Sequence, residues 1–209
     1  MTKTTLSLIA FAAALSANAA PLCSPDGKTA VEITCNQGKP AYTVTYNGVT
    51  VIEPSALGLN TNVGDFTQNL TIAKTSEVEK KNVSYSLPNI KVSKVEKEMN
   101  TQTTTFAQNG KEMLSVTVAV SNNNVAFSYN LLANKDKKCC VVNNEATAFS
   151  LPEGTTTFLC PQMGYMTGFA RTAPSYETHY TADEPMGKNG WGQGYTFPCL
   201  FKVPAKQGD

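Results

Sequence analysis

The chain has 209 residues, 41% hydrophobic and 16% charged, with seventeen Lys and Arg against sixteen Asp and Glu. That length fits one domain able to bury roughly 70% of its unfolded surface, and a formal charge of +1 offers no surplus of cations to phosphates, so neither a nucleic acid nor an anionic membrane is expected as a partner. Arg171 is the only guanidinium and His179 the only imidazole, which leaves out bidentate phosphate clamps and multi-histidine metal sites.

Residues 1–20 read as a secretory signal. Lys3 gives a short positive start, Leu6 to Leu15 an apolar stretch, and Ala17-Asn18-Ala19 a small-x-small cleavage site, with cleavage expected after Ala19 or Ala20. The apolar stretch falls short of the ~20 residues a bilayer requires, and Leu22 before Cys23 is too bulky for a lipoprotein signal. No later segment is apolar enough to span. A soluble, periplasmic or secreted mature chain over 21–209 is expected, and in an oxidising compartment Cys23, Cys35, Cys139, Cys140, Cys160 and Cys199 have disulfides open to them. Sequence does not choose among the fifteen full pairings or between pairing and free thiols. There is no C-x-x-C, so the spacing carries no metal motif.

From there the pattern is all-β. Val31, Ile33 and Cys35 form one apolar face; the turn Asn36–Lys39 leads into Tyr42, Val44 and Tyr46, and Asn47-Gly48 precedes Val49 to Ile52. Thr75–Lys81 and Lys91–Met99 mix charges without clear alternation and read as helix, loop or solvated edge strand. Asn109-Gly110 joins Thr103–Gln108 to a strand in which Leu114, Val116, Val118 and Val120 alternate with Ser115, Thr117, Ala119 and Ser121. After Asn122–Asn124 the alternation resumes with Val125, Phe127, Tyr129 and Leu131. Period two marks half-buried strands, and Asn-Gly tolerates the positive φ of tight hairpin turns. Short strands with turns every 8–12 residues indicate a sandwich or barrel.

Residues 165–201 differ, holding eight of the eighteen aromatics among Gly and Pro, as shaped loops do. Within them Arg171, Ser175, Tyr176, Glu177, His179, Tyr180, Asp183 and Glu184 form the densest cluster of chemistry-bearing side chains. Acids beside aromatics suit a hard cation such as calcium or the faces of a sugar ring; Tyr176 and Trp191 are the expected sugar-contacting aromatics. The same groups also suit plain loop anchoring and a Glu177–Arg171 ion pair. A Ser175–His179 nucleophile lacks any G-x-S-x-G elbow.

Several blocks together carry a resemblance: Ser24-Pro-Asp-Gly-Lys28, Tyr42-Thr-Val-Thr-Tyr-Asn-Gly48, Val51-Ile-Glu-Pro-Ser-Ala-Leu-Gly-Leu59, Gly168-Phe-Ala-Arg-Thr-Ala-Pro-Ser-Tyr-Glu177 with Tyr180, and Gly194-Tyr-Thr-Phe-Pro-Cys-Leu-Phe201. In this order they resemble the N-terminal domain of glycoside hydrolase family 97 across the whole mature chain. The resemblance implies a β-super-sandwich related to the galactose-mutarotase-like fold, packed on a (β/α)8 catalytic barrel that this sequence lacks. It implies an exo-acting α-glucosidase or α-galactosidase, acting on α-linked oligosaccharides with a calcium ion. Glu177 is the metal ligand that the resemblance assigns to this domain; no catalytic residue is assigned to it. Acid–base hydrolysis needs two carboxyl groups ~5–5.5 Å or ~6.5–9.5 Å apart, and no such pair stands out here. The expectation is a fragment inactive alone, supplying a metal ligand and a wall of the sugar pocket; a free-standing carbohydrate-binding sandwich and a structural or adhesive one are the alternatives.

Overall fold

The computed structural model describes residues 20–132, 139–162, 181–187 and 194–205, and among them every regular element is a strand. The first sheet is an antiparallel run of neighbours, β1 (Leu22–Cys23), β2 (Thr29–Asn36), β3 (Lys39–Tyr46) and β4 (Val49–Ala56). Its tight turns sit where the sequence placed them, with Gln37 and Gly38 at φ 50° and 77° and Asn47 and Gly48 at 48° and 74°. Positive φ at both central residues matches the turn's twist to that of the flanking strands.

A short hairpin follows, β5 (Leu59–Thr61) with β6 (Gly64–Asp65). The second large sheet comprises β7 (Thr71–Thr75), β8 (Glu79–Ser86), β9 (Lys94–Gln108), β10 (Lys111–Ser121) and β11 (Asn124–Leu131). Its order is β11-β10-β9-β7, with β8 also paired to β9. The expected β10–β11 hairpin forms in register, Val120 opposite Val125 and Val116 opposite Tyr129. Later, β12 (Val142–Glu145) joins β5, and β13 (Thr156–Phe158), β14 (Glu184–Pro185) and β15 (Leu200–Lys202) make a small sheet.

The two large sheets close over one core. Val31, Ile33, Tyr42 and Val44 come from the first; Phe106, Leu114, Val116, Val118 and Val120 from the second; Leu57, Leu59, Phe66 and Leu70 fill in from the linking segment. Each large side chain so buried contributes roughly 1.5–3 kcal/mol. Thr75–Lys81 and Lys91–Met99, open between helix, loop and strand by sequence, contribute to β7, β8 and the start of β9 as exposed strand. Hydrogen bonding along β9, and not burial of an apolar stripe, makes them extended. All six cysteines are thiols; the Cys35 Sγ–H is 3.2 Å from the Leu70 carbonyl oxygen it donates to. Among the described residues no helix is long and apolar enough to cross a membrane.

Gly58 fixes where the chain leaves the first sheet. Its φ is 138°, and a Cβ there would lie 2.5 Å from the Phe66 carbonyl oxygen and 2.9 Å from the Thr67 Cα. Gly110 also has positive φ, 76°, but faces open space. Left-handed backbone costs a non-glycine residue about 1–2 kcal/mol, so Gly110→Ala should lower stability by about that amount. Gly58→Ala adds a backbone collision and should cost clearly more; equal urea midpoints for the two variants would refute this packing.

Candidate functional site

Between the edges of the two large sheets the sandwich opens into a recess of about 610 Å³, with Tyr42, Val44, Val51, Ile52, Phe127 and Phe149 prominent in its wall. β3 and β4 place the first four and β11 places Phe127. The rings are mutually oriented: Tyr42 lies 5.4 Å from Phe127 and, edge-on, 6.4 Å from Phe149, and Phe127 meets Tyr129 edge-on at 5.9 Å. Such tilted and edge contacts suit the ring quadrupoles.

Hydroxyl groups lock this cluster. The Tyr42 Oη donates to the Ala148 carbonyl at 2.9 Å, pinning residues 146–150 beside β4, where Glu53 and Ser150 also bridge. The Tyr129 Oη accepts from the Gly58 N–H at 2.9 Å and lies 2.7 Å from Thr147 Oγ1, which in turn donates to Glu145 Oε1. Burial pushes the Tyr42 phenol up to about 12, helped by the neighbouring Tyr129, whose own hydroxyl is raised chiefly by burial. Thr29 Oγ1, also at the recess, is buried without a hydrogen-bond partner among the described residues. Among the described residues that line the recess none is a carboxylate, imidazole or thiol. Its described lining can seat an apolar surface or a ring.

The small β13–β14–β15 sheet carries the second feature of interest. Pro161 bridges Tyr195, the Gln162 N–H donates to the Gly194 carbonyl at 2.9 Å, and the Thr196 N–H to the Cys160 carbonyl at 3.0 Å. The chain entering residue 163 and the chain leaving residue 193 are thus held side by side. Asp183, at φ 53°, accepts from Thr156 Oγ1 at 2.8 Å and Lys202 Nζ at 3.2 Å. The Thr156 hydroxyl, then the lysine, hold its carboxyl below the ordinary carboxylate range.

Of the residues singled out by sequence, Tyr176 and Glu177 fall within 163–180 and Trp191 within 188–193, outside the described residues, as do Arg171, Ser175, His179 and Tyr180. Only the stems flanking these stretches are described. Among the described residues no three His, Cys, Asp or Glu side chains converge as metal donors, and Asp183, next to the segment, is engaged by Thr156 and Lys202. The described residues therefore do not by themselves fit a calcium ion. The aromatic recess was not anticipated from sequence; the signal was there in Tyr42 and Phe127 sharing inward faces, but Phe149 sits in a segment with no periodicity to place it.

Tyr42 has a pH consequence with a definite sign. A phenol whose folded-state value lies above its unfolded value of about 10 stabilises fully below pH 10, and that contribution drains away as pH rises toward 12. Stability of the 21–209 chain should fall over that window. Tyr42→Phe should shrink the fall while costing about 1 kcal/mol at neutral pH from the lost bond to Ala148. An unchanged alkaline limb in Tyr42→Phe would contradict the assignment.

The family model described as Glycosyl-hydrolase 97 N-terminal matches residues 22–208. No curated protein matches the chain. Among solved structures, a crystal structure of a beta-arabinopyranosidase is 45% identical with a TM-score of 0.81, over 88% of this chain and 30% of that one. A Glycoside Hydrolase Family 97 enzyme from Pseudoalteromonas sp. strain K8, solved with acarbose and, as a variant, with panose, is 25% identical with a TM-score of 0.61, over 68% of this chain and 22% of that one. The chain thus spans less than a third of the length of these solved relatives. With its all-β sandwich and a match running from the first strand almost to the last residue, the chain belongs to the glycosyl-hydrolase 97 N-terminal family.

Proposed function

We propose that this sandwich is the N-terminal part of an exported, calcium-dependent glycoside hydrolase that removes terminal α-linked sugars from oligosaccharides, and that a catalytic barrel elsewhere on the same polypeptide supplies acid and base. The observation that carries the reading is the family match over residues 22–208. Export rests on the signal-like residues 1–20.

In this reading Glu177 gives one carboxylate oxygen to a calcium ion completed by the barrel, and Tyr176 and Trp191 line the sugar pocket. Calcium takes six to eight oxygens, so a single glutamate is a contributor and not a site. When bound, the ion would act as a Lewis acid near the glycosidic oxygen. The chain's own part is to hold Glu177 on a segment whose stems are fastened by Gln162, Gly194, Cys160 and Thr196.

Between glucose and galactose, the 45% identity to a beta-arabinopyranosidase favours the galacto series, because β-L-arabinopyranose has the ring configuration of α-D-galactopyranose without the exocyclic hydroxymethyl. The complete polypeptide should hydrolyse p-nitrophenyl α-galactoside or β-L-arabinopyranoside at least tenfold faster than α-glucoside; the reverse order would exclude the galacto assignment. Glu177→Gln in the same polypeptide should weaken calcium binding by calorimetry about 10–100-fold, the loss seen when a metal site is disturbed. Unaltered calcium affinity would remove Glu177 from the site.

A further inference from the structure

The second sheet carries a projection that the sandwich core does not require. β8 pairs with β9 from Glu79 opposite Thr101 out to Ser86 opposite Lys94, whereas β10 covers the other edge of β9 only as far as Met99. Beyond that point Asn82–Ser86 and Lys94–Glu98 form a two-stranded ribbon with no third strand among the described residues, and every residue of β8 is exposed. The turn at its end is closed by the Leu87 N–H on the Ser93 carbonyl at 2.7 Å. Isolated two-stranded ribbons are marginal in water, and the exposed Lys94–Glu96 and Lys81–Glu79 pairs contribute little, roughly 0–1 kcal/mol each.

The ribbon is two-faced. Cross-strand partners share a face, so Val83 with Lys97 and Tyr85 with Val95 lie on one side; Asn82, Ser84 and Ser86 with Glu98, Glu96 and Lys94 lie on the other. On the apolar side Tyr85 is 45% exposed, and the turn beyond presents Ile90 at 50% and Val92 at 61%. Exposed apolar side chains gathered at the end of one projection suit an interaction surface. The same side continues down β9 onto the outer face of the sheet, where Thr103, Thr117, Ala119, Ala126 and Ser128 are aligned by register. Side chains this small let a second body approach the sheet closely while the ribbon reaches along its flank.

The occupant follows from length. This chain covers 30% and 22% of the solved relatives, so in those proteins the polypeptide beyond the matched part exceeds it more than twofold. A body tethered to the sandwich is presented at an effective concentration in the millimolar range, well above that of a second free copy. From the exposed Tyr85, Ile90 and Val92 and these lengths, we infer that the β8–β9 ribbon is a clamp arm that docks its apolar face on the remainder of the longer polypeptide. This rests on the reading that the chain is one part of a longer hydrolase.

The ribbon's own lysines report its cover. Trypsin should cleave the 21–209 chain readily at Lys91 and Lys94, and cleave the complete polypeptide at these bonds at least tenfold more slowly. Ile90→Asp with Val92→Asp, on exposed positions that the sandwich core does not use, should restore fast cleavage in the complete polypeptide and leave the rate in the 21–209 chain unchanged. Equal cleavage of the two unmodified proteins overturns the clamp, as does protection of the 21–209 chain in a dimer, which would assign the arm to a second copy. Sugar hydrolysis by the complete polypeptide is scored separately: turnover with an unprotected arm defeats the clamp and spares the hydrolase reading, whereas a protected arm without turnover defeats only the hydrolase reading. A coding sequence with no further polypeptide overturns both.

Discussion

Phe106, Leu114, Val116 and Val120 have no solvent exposure at all, and they keep that state only while β2 and β3 lie across β9 and β10. This burial sets the spacing of the two sheets, and the remaining features are arranged around it. Along the side where β4 and β11 are edge strands, the facing apolar residues are only half covered, and the recess of Tyr42, Phe127 and Phe149 is the result. Along the other side β9 outruns the core. Its second half is packed under the first sheet, and its first half, from Lys94, is the inner strand of the ribbon. One continuous strand thus couples the sandwich to its projection, so a force on the ribbon is borne by hydrogen bonds that also position Phe106.

Where a residue's environment alternates, the sequence announced the structure. Leu114 to Val120 and Val125 to Leu131 show period two because one side of each strand meets the core, while the other carries small or polar side chains that are half-buried on β10, apart from the buried Ser115, and exposed on β11. Asn47-Gly48 and Asn109-Gly110 announced hairpins because few other dipeptides accept two positive φ values. β8 gave a weaker signal: Val83 and Tyr85 do alternate with Asn82, Ser84 and Ser86, but over only five residues and behind the charged run Glu79–Lys81, whose faces show no contrast. No such signal came from β5, β6, β13, β14 and β15, of two or three residues each, since pairing with distant chain, and not local pattern, makes them extended. The cysteines illustrate a different limit: an oxidising compartment would permit disulfides without requiring them, and all six are thiols in this fold.

The candidate site was legible to a different degree. Tyr176, Glu177 and Trp191 were singled out by the clustering of acids and aromatics and by resemblance, and they lie beyond the described residues. What the fold contributes is the base on which that segment stands: Asp183 ties Thr156 of β13 to Lys202 of β15 through one carboxylate, and the stems at Gln162 and Gly194 are joined. A segment fastened at both ends to a sheet can hold a side chain toward a neighbouring body with less loss of entropy than a free tail. That is the physical content of the proposal that this domain lends a metal ligand to a neighbouring body.

The central claim is that the chemistry of this family is divided, with the sandwich furnishing support and the acid–base pair lying in polypeptide it does not include. The direct test is turnover by purified 21–209 chain, with calcium, on p-nitrophenyl α-galactoside, α-glucoside and β-L-arabinopyranoside. The account predicts no hydrolysis above the uncatalysed rate for any of the three. Sustained turnover of even one would contradict it.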